Sequence, residues 1–157
     1  MKSYTGIGSR KTPENVQEVF TIISLVLEEK GFIVRTGDAD GADHSFRKKT
    51  KNKKVYTAND AKKKDFHIAE RIHPNWQACS EYAKKLHTRN LYQVKGDNLD
   101  EPSEFLLCWT KEGKPIGGSR TAIVYAQENQ IPVFNFGDHK QLEKFIKFLY
   151  DRYKIKL

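Results

Sequence analysis

The sequence predicts an α/β domain with a mainly parallel sheet and helices on both faces, and three observations predict it. Short apolar runs alternate with segments whose apolar residues recur at helical spacing. The apolar run 105–109, a glycine-rich turn, an amphipathic segment and a second run at 131–136 make one βαβ unit. Two earlier turns, around Gly6 and Gly8 and around Gly37 and Gly41, also follow apolar runs. Open α/β sheets bind ligands at the carboxyl ends of their strands, which is where these turns fall.

Length and composition bound the reading. The 157 residues suffice for one core around a sheet, so residues 1–157 are taken as a single domain. A formal charge of +8 fits phosphate-rich partners, nucleotides or nucleic acid, and it equally serves solubility. Cys79 and Cys108 follow no disulfide or metal-ligand spacing, so no metal or cofactor is expected and a reducing, cytoplasmic setting fits. No apolar stretch reaches the ~20 residues of a membrane span, and the basic start lacks a long apolar continuation. A soluble, unprocessed chain without a membrane partner is the expectation.

A very short strand at the start breaks into Gly6-Ile-Gly-Ser-Arg10. Thr12 is the expected N-cap and Pro13 the first helical residue, ahead of Val16, Val19, Phe20, Ile23, Val26 and Leu27 at helical spacing. Small residues at Gly6, Gly8 and Ser9 bare the backbone, and Arg10 can grip a phosphate through two hydrogen bonds, or merely be solvated. Gly31 ends the helix, and residues 32–36 form a β-branched run suited to a buried parallel strand. The loop Gly37-Asp-Ala-Asp-Gly-Ala-Asp43 then leads into a short helix at about 42–49. Ionised aspartates only accept hydrogen bonds, so Asp38, Asp40 and Asp43 suit ribose hydroxyls or a base edge better than phosphate. Their spacing lacks the rest of a calcium loop, and Asp43 also suits the first turn of a helix.

The basic run 47–54, continued at 62–64 beyond a strand-like 55–57, is either a solvated face or a nucleic-acid contact. Residues 58–75 show weak periodicity and read as an irregular insertion closed by His73-Pro74. From Asn75 to about Val94 the pattern is helical, with Trp76 and Tyr82 expected in the core. His87, Arg89 and Asn90 then precede the central strand by one short connection. In the central unit Gly117 and Gly118 let backbone approach a ligand. Ser119, Arg120 and Thr121 open a helix whose free N–H groups favour an anion. A tight turn with no ligand is the plain alternative. Leu142, Phe145, Ile146, Phe148, Leu149 and Tyr153 mark a closing amphipathic helix.

In their order and spacing, Thr5-Gly-Ile-Gly-Ser-Arg10, Thr36-Gly-Asp-Ala-Asp-Gly-Ala-Asp43, His87-Thr-Arg-Asn90 and Gly117-Gly-Ser-Arg-Thr121 resemble the SLOG superfamily. The resemblance runs over about residues 4–136 and is closest to small stand-alone members often carried by phages. That Rossmann-like group includes the "lonely guy" phosphoribohydrolases, the DNA-processing protein A family and the YspA-type nucleotide-binding proteins. It implies a Rossmann-like three-layer sandwich, a nucleotide or nucleotide-derived ligand, and a homodimer or larger assembly. The implied ligand-binding residues are Gly6, Gly8, Ser9, Arg10, Gly37, Asp38, Gly41, Asp43, Arg89, Asn90, Gly117, Gly118, Ser119, Arg120 and Thr121.

The phosphoribohydrolases use an arginine and a glutamate to cleave an N-glycosidic bond. Arg89 stands at the arginine position, but Val124 stands at the glutamate, Arg120 replaces a loop glycine, and Asp38 stands where many relatives have glycine. Glycosidic cleavage passes through an oxocarbenium-like state served by a carboxylate. An enzyme here would need Asp38, Asp40 or Asp43, with Asp43 and Arg89 the catalytic candidates. The expected function is therefore binding of a nucleotide, to sense or sequester it. The alternatives are a nucleotide N-glycosidase and a DNA-binding protein resembling DNA-processing protein A.

Overall fold

The computed structural model describes residues 2–157. Its strands are β1 (Lys2–Gly6), β2 (Phe32–Gly37), β3 (Lys53–Tyr56), β4 (Leu106–Cys108) and β5 (Val133–Asn135). They form one sheet in the order β3-β2-β1-β4-β5, parallel at every pairing. The helices are α1 (Glu14–Glu29), α2 (Ala42–Arg47), α3 (Phe66–Ile72), α4 (Glu81–Lys95), α5 (Arg120–Glu128) and α6 (Gln141–Tyr153). None is long and apolar enough to cross a membrane.

Side-chain alternation along the strands divides the core in two. Phe105 and Leu107 point to one face, where Phe20 of α1, Phe46 of α2 and Phe145 of α6 cover them. Leu106 and Cys108 point to the other, where Ala69 of α3, Leu91 of α4 and Ala122 of α5 meet them. The result is the Rossmann-like three-layer sandwich that the sequence predicts. The first cluster is largely aromatic: Tyr4 stacks on Phe105 at 5.4 Å and Phe20 on Phe46 at 4.4 Å. Each such ring, fully buried, contributes about 1.5–3 kcal/mol.

Several local expectations change. Pro13 stands just before α1 with extended ψ of 147°, and the Thr12 hydroxyl donates back to the Ser9 carbonyl at 2.6 Å instead of capping the helix. The segment 58–75 is ordered, with two 3-10 turns and α3. Only Ala69 and Ile72 of α3 are buried, too few to print a helical period. The helix expected from Asn75 begins at Glu81. Trp76 to Ala78 form a 3-10 turn, and Ser80 caps α4 by accepting from the Ala83 N–H at 3.1 Å. That break keeps Trp76 in the core but turns Tyr82 to solvent, 62% exposed. In α6, Ile146 likewise faces outward.

The strand order fixes where a crevice can lie. From β1 the chain winds outward through β2 and β3, then crosses back to place β4 on the other side of β1. Between β1 and β4 the connections leave toward opposite faces, which opens a gap at the carboxyl ends of these strands.

Candidate functional site

A cavity of about 400 Å³ fills that gap, within the roughly 300–1,000 Å³ of small-molecule clefts. All three glycine turns contribute to it: Gly8, Ser9 and Arg10 after β1, Ala39 and Asp43 after β2, and Gly117, Gly118 and Ser119 before α5. The opposite wall is one stripe of α4, His87, Arg89, Asn90 and Gln93. Lys11 and Lys111 add cationic side chains at the rim.

The first turn is stitched to the end of β4 by the Ser9 N–H, which donates to the Trp109 carbonyl at 3.0 Å. A side chain at Gly8 has no room, since its Cβ would sit 2.7 Å from Ala42 Cβ and 2.8 Å from the Trp109 oxygen. Gly41 has φ +76°, and a Cβ there would collide with the backbone of Ser9 and Arg10. The first two turns thus interlock backbone to backbone, something only glycine allows at this position. The third turn is different. Gly117 has φ +71°, and a Cβ on either Gly117 or Gly118 would meet nothing within 4 Å. Bare backbone therefore faces the cavity as a 3-10 turn, Gly117–Ser119, leading into α5. The Arg120 N–H already donates to the Gly117 carbonyl, so the N–H groups left for a ligand are those of the turn itself. Asn90 holds this turn in place by donating its amide to the Gly118 carbonyl at 2.8 Å.

The floor is polar and buried. Arg89 donates from Nη1 to the Tyr56 carbonyl at 2.7 Å and to Asp38 at 3.1 Å. Asp43 is 4% exposed. Burial pushes its carboxyl up to about 6, against the pull of Arg89, of the Ala39 and Gly8 N–H groups and of Arg47. Gln93 is 1% exposed, and neither its Nε2 nor its Oε1 has a partner. Among the described residues five buried side-chain polar atoms lack a partner, and three of them are these two and Arg89 Nε. Leaving such a group unpaired costs about 1–3 kcal/mol. Unmet hydrogen-bonding capacity is thus concentrated under the cavity.

The other sequence-predicted residues shape the site without lining it. Gly6 sits inside β1, where a Cβ would press into the Phe46 ring at 2.6 Å. Gly37 lies behind Arg89 and Asp43, and any side chain there would strike both. Asp38 is half-exposed and pairs with Arg89, while Asp40 is exposed. Arg120 turns away, donating to the Ile72 carbonyl at the end of α3. Thr121 is buried, with its hydroxyl 3.3 Å from His87 Nδ1. Within the basic run, Arg47 is spent on the carbonyls of Gly37, Asp38 and Ala39.

Three side chains that the sequence does not group together also meet here. His73, Cys79 and His87 each offer a metal-ligand type of atom, and these atoms lie within 4.8 Å of one another. Burial, then His73 and Arg89, pushes the His87 imidazole down to about 4. Burial and Arg120 lower His73. Both shifts favour the neutral ring. Comparison with protein-family models, curated proteins and solved structures finds no match. Chemistry at the cavity is therefore what speaks to function.

Proposed function

We propose that this chain binds a nucleotide or a nucleotide-derived small molecule in the cavity between β1 and β4, so as to sense or sequester it. One observation carries this: three turns distant in sequence converge on a single cavity whose one wall is bare glycine backbone at a helix entrance. Phosphate lies against Gly117, Gly118 and Ser119, whose backbone lines the cavity, and Arg10, Lys11 and Lys111 supply positive charge. Sugar and base lie toward Asp43 and Gln93, an acceptor and a two-way amide suited to hydroxyls and base edges. The motif resemblance to the SLOG superfamily points the same way. Binding is favoured over cleavage because Val124, at the position of the hydrolases' glutamate, packs against the second core cluster.

A second reading has one observation behind it. The Asp43 carboxyl borders the cavity and titrates near 6, where a carboxyl can serve as general acid or base. In that reading Asp43 takes the missing glutamate's part beside Arg89, and the ligand is a nucleotide cleaved at its N-glycosidic bond.

Calorimetric titration with nucleoside monophosphates and the matching nucleosides tests the binding proposal. Charge-assisted contacts are worth about 1.5–3 kcal/mol, so removing the phosphate should weaken binding at least tenfold. Gly118→Asp places a carboxylate in the phosphate seat and should abolish binding. The fold should be spared, within about 0.5 kcal/mol, because the new side chain enters open space. Equal affinity for nucleoside and monophosphate, or binding untouched by Gly118→Asp, would contradict the phosphate assignment.

A further inference from the structure

We propose that His73, Cys79 and His87 form a binding site for a thiolate-seeking divalent metal ion, Zn²⁺ foremost, on the rim of the cavity. The site is independent of whether the cavity takes a nucleotide. Cys79 Sγ lies 3.8 Å from His73 Nε2 and 4.0 Å from its Nδ1, and the two imidazole rings are 4.3 Å apart, centroid to centroid. A tetrahedral Zn²⁺ with nitrogen at about 2.0–2.1 Å and sulfur at about 2.3 Å holds its ligand atoms roughly 3.3–3.6 Å apart. Side-chain shifts of about an ångström close the present triangle onto an ion.

The ligands stand on supported backbone. His73 follows α3 directly and is held by Pro74, and buried Trp76 anchors the 3-10 turn between it and Cys79. Cys79 immediately precedes the Ser80 cap, and His87 lies on α4 itself. Five residues separate the first two ligands and seven the last two. One outer partner is present as well. The Thr121 hydroxyl, 3.3 Å from His87 Nδ1, can accept that N–H and leave Nε2 as the ligand. The Asn75 N–H donates to His73 Nδ1 at 3.0 Å, and metal capture by this ring replaces that contact.

The donor set also selects the metal. It contains no carboxylate, and the guanidinium groups of Arg89 and Arg120 bear on the two rings and oppose a cation. A thiolate offsets one positive charge and offers a soft donor, which suits Zn²⁺ and disfavours Mg²⁺ and Ca²⁺. Three protein ligands leave a tetrahedral ion one open position. Because His87 also lines the cavity, the ion borders it, and the open position can take water or an oxygen of the cavity's occupant.

Titrating metal-stripped protein with Co²⁺ and then Zn²⁺ tests the site. The expected result is one equivalent of Co²⁺ bound with the strong visible bands of tetrahedral coordination and a near-ultraviolet thiolate charge-transfer band, both erased by Zn²⁺. One equivalent of Zn²⁺ should also suppress the reaction of Cys79 with a colorimetric disulfide reagent, Cys108 being fully buried and silent. Cys79→Ser should remove the charge-transfer band, and His73→Gln or His87→Gln should weaken binding more than tenfold. Substituting exposed His67 by Gln should change nothing. A wild-type Co²⁺ spectrum without the charge-transfer band, or thiol reactivity unchanged by Zn²⁺, would overturn the proposal, and neither depends on a variant folding.

Discussion

Gln93→Leu is expected to raise the stability of the free protein and to weaken ligand binding, two effects of opposite sign from one substitution. The Gln93 amide is almost completely buried, and both its ends lack partners. Each unsatisfied group costs about 1–3 kcal/mol, while an apolar side chain of similar volume carries no such penalty. Leucine also keeps the helix propensity of α4. A gain of about 1–2 kcal/mol corresponds to a rise of roughly 2–8 °C in melting temperature for a chain of this size. The amide is the one uncommitted two-way group in the floor, so its loss should weaken nucleotide binding at least tenfold. Thermal melts and calorimetry on the same preparations check both. A variant that melts lower and binds as before would make Gln93 a packing residue only.

Asp43→Asn is expected to change how stability depends on pH. The folded carboxyl titrates near 6 against an ordinary 3.8, so between these values the native state holds a proton that the unfolded chain releases. Stability contributed by this group is therefore greatest at low pH, falls as pH rises from about 4 to about 6, and stays low above. The full difference amounts to roughly 3 kcal/mol. Asparagine keeps the shape and an acceptor for the Ala39 N–H but cannot ionise. Its stability relative to wild type should grow by about 2 kcal/mol between about pH 4.5 and 7.5, in denaturant titrations at the two pH values. A constant difference would mean the carboxylate is better solvated than its burial indicates. The same variant decides the hydrolytic reading. Free base released from a nucleoside monophosphate by wild type and not by Asp43→Asn would make the chain an N-glycosidase.

Much of the fold was legible because it is written in local patterns. The alternation through Phe105, Leu106, Leu107 and Cys108 belongs to a strand buried on both sides, and the stripe of α1 has enough turns to declare its period. Other elements carried too little signal. α3 buries two residues, and the 3-10 turn at Trp76 has no period to detect, so the break that frees Tyr82 could not be read. The site was legible in part for a related reason. Glycines at 8, 41 and 117 are needed by backbone geometry and stand out in any sequence. By contrast, Arg120 meeting the Ile72 carbonyl, Arg47 gripping the second turn, and the cluster of His73, Cys79 and His87 arise only when distant segments pack. Gln93 was missed although it lies one helical turn beyond Arg89 and Asn90, on the stripe of α4 that faces the cavity.

The central claim is that one pocket gathers three turns around a phosphorylated small molecule, and backbone amide mapping by NMR tests it most directly. On titration with a nucleoside monophosphate, the shifted amides should be those of Gly8 to Lys11, Ala39 to Asp43, Gly117 to Thr121 and the cavity stripe of α4. Shifts confined to the lysines between residues 48 and 54, or absent from the Gly117 turn at saturation, would contradict it.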